Sequence, residues 1–272
     1  MKHRNHLRAV RRNPLWTAPA AGLTSERTAR AAARRGAVVT ATLVSALVTT
    51  LIAAPAEADG YNEWTAGVAD PGMLYMVPAL SLQASPVFQA YPQMQVQAGL
   101  YERVDVILTA ASWITKKSAT ADALYIQPRV QIVEGLALSP GLSVPITGAG
   151  APWTLSPGIF HTMEPEGWQI SWNLVGYLNP KAWSDSSFFF VTVVEKIYND
   201  TWSFYVELDV SHTLSSPASQ AELVGFVGTQ VAVTDNDTVN VCVFTPLRPG
   251  LELAQTSVGM WWSHGFTMWS KK

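Results

Sequence analysis

His161, His212 and His264 are the side chains after the first third of the chain that could move a proton near neutral pH. His212 stands beside Ser211 with Ser215 close by, the residue types that would make a serine nucleophile for ester hydrolysis. A histidine beside a serine also arises by chance, and no catalytic residue is assigned on it. Metal chemistry has less to stand on, because the three histidines fall in separate segments with no His, Cys or Asp partner at ligand spacing. Asp235, Asn236 and Asp237 open like a calcium loop, but the later Gly and Glu are missing, so they read as a hairpin turn. Cys242, the single cysteine, lies between Val241 and Val243; it allows no internal disulfide and is expected to face inward, inert. Neither a metal nor a cofactor is expected.

The charges with clearer meaning sit on alternating stretches. In Trp202 to Leu214 the even positions Trp202, Phe204, Val206, Leu208 and Val210 are apolar, and Tyr205, Glu207 and Asp209 lie between them. Period two marks a β-strand with one greasy face. In Asp122 to Val133, Leu124, Ile126, Pro128, Val130 and Ile132 oppose Tyr125, Gln127, Arg129 and Gln131; in Gly167 to Leu178, Trp168, Ile170, Trp172 and Leu174 oppose Gln169, Ser171 and Asn173. Polar faces so rich in uncharged side chains suit a confined, water-filled interior, where a soluble sandwich would show Lys and Glu. Asp105, Tyr125, Gln127, Arg129, Gln131, Gln169, Asn173, Tyr205, Glu207 and Asp209 are therefore expected to line a pore. Two arrangements of its charges stand open: Arg129 facing Glu207 and Asp209 across the lumen, or Arg129 neutralised by Asp105, a diagonal neighbour on the preceding strand.

The elements that hold these faces are strand-like from end to end. Expected strands run Met73 to Leu82, Met94 to Tyr101, Val104 to Trp113, Asp122 to Val133, Leu136 to Ile146, Trp153 to Met163, Trp168 to Leu178, Phe188 to Ile197, Trp202 to His212, Ala221 to Ala232, Thr238 to Thr245 and Glu252 to Phe266. That is about twelve, an even number, with short turns alternating with longer connections such as Gln83 to Gln93 and Thr213 to Gln220. Both ends fall on the short-turn side. The fold expected is all-β: an antiparallel transmembrane barrel with short periplasmic turns and longer extracellular loops, in the bacterial outer membrane. Trp113, Trp153, Trp168, Trp202, Trp261, Trp262, Phe266 and Trp269 lie near strand ends, as interfacial girdles require. Pro78, Pro128, Pro140, Pro145 and Pro157 fall inside strands and predict bulges.

Ahead of the barrel, residues 1–58 read as a signal peptide with a long basic n-region, an uncharged run from Gly36 to Ala54 and cleavage after Ala58. The leader carries nine basic and two acidic residues of a chain whose net charge is -2, which leaves the mature part at -9 and speaks against nucleic acid as a partner. Charged residues make up 14% of the chain, well below the roughly 25% of a typical soluble domain. Membrane lipid is the solvent such a surface needs. Residues 59–72, polar and Gly-rich, are too hydrophilic for a membrane strand; they are expected to enter the lumen or lie in the periplasm, with Tyr61 and Trp64 able to dock on the polar wall. The barrel is assigned to 73–272.

Gly99, Leu100, Tyr101, Glu102, Arg103, Val104 and Asp105 resemble the Gly-Leu-Thr-Asp-Arg-like turn of the outer-membrane transporter family named after the meta-cleavage pathway of phenol degradation. Val144, Pro145, Ile146, Thr147 and Gly148, following Pro140, Gly141 and Leu142, are similar to its Leu-Pro-Thr-Gly element. The resemblance implies an outer-membrane barrel that moves small, often hydrophobic, molecules and has no catalytic residues. The His-x-Ser-Asn-Gly core of outer-membrane phospholipase barrels is absent, with Thr213 and Leu214 in its place. The expected function is a channel or transporter for a small-molecule solute; the alternatives are a structural or adhesive barrel and, behind both, a lipid-hydrolysing one. The sequence sets no oligomeric state.

Overall fold

The computed structural model describes residues 65–84, 87–146, 153–217, 220–248 and 253–269, apart from the side chains of Asp122 and Ala254. The expected leader, its cleavage after Ala58, and Tyr61 and Trp64 lie outside these residues. Twelve strands follow one another: β1 (Met73–Gln83), β2 (Gln89–Tyr101), β3 (Val104–Thr115), β4 (Ala119–Val133), β5 (Leu136–Pro145), β6 (Thr154–Met163), β7 (Trp168–Tyr177), β8 (Ser187–Ile197), β9 (Trp202–Thr213), β10 (Glu222–Thr234), β11 (Asp237–Arg248) and β12 (Ser257–Thr267). Each pairs antiparallel with its chain neighbours, and β1 pairs with β12, so the sheet closes on itself. Closure leaves no strand edge unpaired, the condition for a sheet in hydrocarbon.

The turns at one end are short for a local reason. Gly135 and Gly167 take φ of 74° and 69°, the left-handed region that a tight reversal uses and that a β-carbon penalises. Thr234 Oγ1 donates to Asp237 Oδ2, so the Asp-Asn-Asp run is the hairpin turn its residue types suggest. Both described chain ends meet on this side, where Met268 N–H donates to the carbonyl of Gly72.

Several boundaries differ from the sequence reading. β2 starts at Gln89, inside the stretch expected to be an extracellular loop, because Gln89, Tyr91, Gln93, Gln95 and Gln97 keep period two through Pro92. β12 starts at Ser257, five residues later than expected, and a 3₁₀ turn at Leu253–Gln255 precedes it. The bulges expected at prolines do not occur there. The register shifts lie at other places, such as Gly99/Tyr101 and Gln131/Val133, and at the prolines the ladder is interrupted with its register kept. A proline nitrogen has no hydrogen to donate, yet its φ fits an extended strand.

Leu108, Val130, Ile132, Leu138, Ile159, Leu174, Val194, Phe204, Val206, Val227 and Met260 are exposed on the outer wall. An apolar surface this continuous is stable only against lipid or a partner.

A two-walled lumen as the candidate functional site

In a single-layer closed wall, the buried face of each strand is the face turned to the lumen. Asp105, Gln127, Arg129, Gln169, Asn173, Tyr205, Glu207 and Asp209 are buried there, and Tyr125 and Gln131 share the β4 face with Gln127 and Arg129. All ten thus lie on the inner face; alternation within β4, β7 and β9 is the signal for nine of them, and Asp105 comes from the hairpin pairing of β3 with β4.

Alternation does not give their pairing. Asp105 stands directly opposite Arg129 in the β3–β4 register, where the sequence suggests a diagonal. The guanidinium holds the carboxylate at both oxygens, Nε to Oδ1 at 3.0 Å and a terminal nitrogen to Oδ2 at 2.6 Å. A charge so far from water needs such a fork. Arg129 also sits over the Phe160 ring, 5.9 Å from its centroid. The fork leaves Arg129 on the β3–β4 wall with Asp105, so the facing arrangement with Glu207 and Asp209 is replaced by the local pair.

The rest of the fork grips the chain ahead of β1. Arg129 donates to the carbonyls of Thr65 at 2.7 Å and Gly67 at 2.9 Å, Asp105 Oδ2 accepts from Ala69 N–H at 3.0 Å, and Ala66 N–H donates to Thr162 Oγ1 at 2.9 Å. Ala66 packs with Ala137, Phe160 and Val175. Residues 65–70 thus run along the inner wall from β3 to β6, near the short-turn end. Gly99 makes room for them: a β-carbon there would collide with the carbonyl oxygens of Asp70 and Ala69. This is a physical reason for the glycine that begins the turn motif noted in the sequence.

The two sides of the lumen differ in chemistry. On one, β2 presents Gln89, Tyr91, Gln93, Gln95 and Gln97 and β4 adds Gln127 and Gln131. Gln97 Nε2 donates to Asp105 Oδ2 at 2.6 Å, joining this wall to the ion pair. On the other, Phe189, Val191, Val193, Val224, Phe226 and Phe244 pack into an apolar cluster with Tyr205 and Cys242, and Phe226 stacks on Phe244 at 4.8 Å. Glu195, Glu207 and Asp209 lie at the foot and along the flank of this cluster, on β8 and β9. Tyr205 O–H donates to Asn240 Oδ1 at 2.9 Å, and Gly228 leaves the space its ring crosses. At the loop end a cavity of about 40 Å³ lies between the walls, bordered by Gln83, Gln89, Tyr91, Trp113, Phe244 and Gln255. It is large enough for water and too small for a benzene-sized ligand in its present shape.

The apolar inner wall is what sequence reasoning missed. Phe188, Phe189, Phe190 and Val191 are apolar on both faces of β8, so alternation carries no signal there. Trp113 and Trp261, counted among the girdle residues, face the lumen: Trp113 packs on Tyr91 at 4.5 Å, and Trp261 is buried. Trp168 keeps its place on the outer face, where Lys196 Nζ lies 4.6 Å from its ring centroid. His212 projects outward beside Phe188 while Ser211 points inward to Glu222, so the two side chains take opposite faces of the wall. His264 and Trp262 both reach Asp237 at the short-turn rim, and His161 reaches the carbonyl of Gly135. Cys242 is buried in the apolar wall, facing inward as expected.

No protein-family model and no curated protein matches the chain. Among solved structures it resembles an outer membrane channel from Pseudomonas putida F1, at 10% identity and a TM-score of 0.56 over 77% of this chain and 100% of that one. It also resembles the KdgM porin, at 10% identity and a TM-score of 0.52 over 71% and 99%, and the NanC porin, at 10% identity and 0.51 over 70% and 98%. At such identities the likeness is one of fold, and with the closed twelve-strand sheet and its apolar outer face it makes this chain a bacterial outer-membrane β-barrel.

Proposed function

We propose that the barrel is a channel for small amphipathic molecules, solutes with an apolar body and a hydrogen-bonding edge. The observation that carries this is the two-walled lumen. Gln93, Gln95 and Gln97 offer donors and acceptors without charge, and Phe189, Val191 and Phe226 across from them offer an apolar surface. Such a pair of walls orients a solute that has both kinds of edge and gives a fully charged or fully apolar one less to gain. The ten inner-face residues named from the sequence line its path. Residues 65–70 act as a plug, held on the Asp105–Arg129 pair, that narrows the short-turn end. Among the described residues of the inner wall, Asp105, Glu195, Glu207 and Asp209 outweigh Arg129, so the leak of small ions is mildly cation-selective.

The test is uptake into proteoliposomes. The full chain should admit phenol-sized alcohols faster than sugars or amino acids of similar mass, and Phe226→Ser should narrow that preference. Equal rates for all solutes would make it a general porin. No conductance and no uptake, even with residues 59–70 deleted, would leave a structural barrel.

A further inference from the structure

A break in the barrel wall lies between β4 and β5. Pairing runs from Ala123↔Pro145 to Ile126↔Leu142 and resumes only at Val130↔Leu138. Continuing that register places Pro128 opposite Pro140. The ladders on their far sides are intact, with Val106↔Pro128 on β3 and Pro140↔Pro157 on β6, so both donor-less nitrogens turn toward one seam. Pro157 does the same one strand on: β6–β7 pairing stops at Gly158↔Val175 and returns only as the isolated bridge Leu155↔Leu178. Three prolines in a row across three strands thus interrupt the wall twice. In hydrocarbon, where unmet backbone groups are costly, a closed barrel carries such a feature only at a cost in stability.

Different chemistry meets at the two faces of this seam. Outside lies an apolar groove walled by Val130, Leu138, Ile159, Leu174 and Phe188. Ser139, whose side chain belongs to the lumenal face of β5, also borders that groove. Behind it, Gln127 Oε1, Ser139 Oγ, Ser156 Oγ and both side-chain polar atoms of Asn173 are buried without a hydrogen-bond partner. These four residues are between 0% and 4% exposed and lie on four successive strands. Gly141 lets two of them, Gln127 and Ser156, approach each other: a β-carbon there would stand 2.8 Å from Ser156 Oγ and 3.0 Å from Gln127 Cγ. Buried polar groups of this kind seek a partner.

We propose that the proline seam is a lateral binding site for a small amphipathic solute, whose alkyl or aryl body lies in the outer groove and whose hydroxyl reaches through the seam to Ser139 and its neighbours. Depth identifies the occupant. Pro140 is the fifth of the ten residues of β5, about 13 Å along the strand from one end and about 17 Å from the other, and so near mid-wall, whereas membrane lipids keep their polar heads at the rims. A polar end at mid-wall belongs to a solute. The site gives the channel's solute class a station between lumen and bilayer, and it stands on the wall's geometry whether or not ions are conducted.

The test is photolabelling of the full chain in dioleoylphosphatidylcholine vesicles with a diazirine-bearing octanol, followed by mapping of the adducts. Adducts should concentrate on β4 to β7 around Leu138 and Ile159, and excess 1-octanol should suppress them where n-octane does not. Leu138→Trp, an outward change tolerated at a lipid face, should abolish that concentration. Ser139→Val should raise the octanol concentration needed for half-competition about fivefold, the loss of one ordinary hydrogen bond. Folding of each variant is read from its heat-dependent gel migration. Adducts spread evenly around the barrel, or octane competing as well as octanol, would overturn the proposal. Because the readout is labelling, its failure is separate from a failure of conduction.

Discussion

Replacing Arg129 by Met tests the plug where it is most tightly held. The guanidinium makes two bonds to the carbonyls of Thr65 and Gly67, and it orients the carboxylate that accepts from Ala69. A hydrogen bond from a charged donor contributes about 1.5–3 kcal/mol net, so the two carbonyl bonds hold residues 65–70 by about 3–6 kcal/mol. At about 1.4 kcal/mol per decade, their loss moves the seated-to-released equilibrium by roughly two to four decades. The single change also strands Asp105, fully buried, without its partner. The pair Asp105→Asn with Arg129→Met is therefore the better folded variant, since a buried ion pair is replaced more safely than halved. In planar bilayers the wild type should show small, rare openings and the double variant large, frequent ones. Deleting residues 59–70 should give that same conductance, and combining deletion with the double variant should add nothing. If the double variant conducts like wild type while the deletion opens the pore, Arg129 is not the latch. If neither opens it, residues 65–70 do not limit the path.

Gly99→Val places side-chain atoms where the carbonyls of Ala69 and Asp70 lie, so it should raise conductance toward that of the deletion without loss of the folded barrel on gels. Glu207→Gln with Asp209→Asn removes two lumenal charges, and the reversal potential under a potassium chloride gradient should fall toward zero; an unchanged potential would mean that permeating ions do not sense these carboxylates. The mature chain folded in detergent should migrate differently on unheated and boiled gels, whereas identical migration together with solubility in plain buffer would refute a membrane barrel.

The sequence by itself determined the inner faces of β4, β7 and β9, the twelve-strand count, and the end on which the short turns lie. Alternation and turn chemistry are local: Gln127 and Arg129 share a face because they are two apart, and Gly135 permits its turn through its own φ. Where a strand is apolar on both sides, as at Phe188 to Val191, the local pattern is silent, and only closure of the sheet shows that Phe189 and Val191 belong to the lumen. The girdle reading of Trp113 and Trp261 failed for a related reason, since position near a strand end does not say which face an indole takes. Pro128 and Pro140 are legible as prolines inside consecutive strands, but their opposition is a matter of register, which a shift of one residue would change. Tertiary structure alone decided where residues 65–70 lie. Ala66 meets Thr162 across 96 residues of sequence and Arg129 meets Thr65 across 64, through backbone groups that every residue carries and no sequence pattern marks.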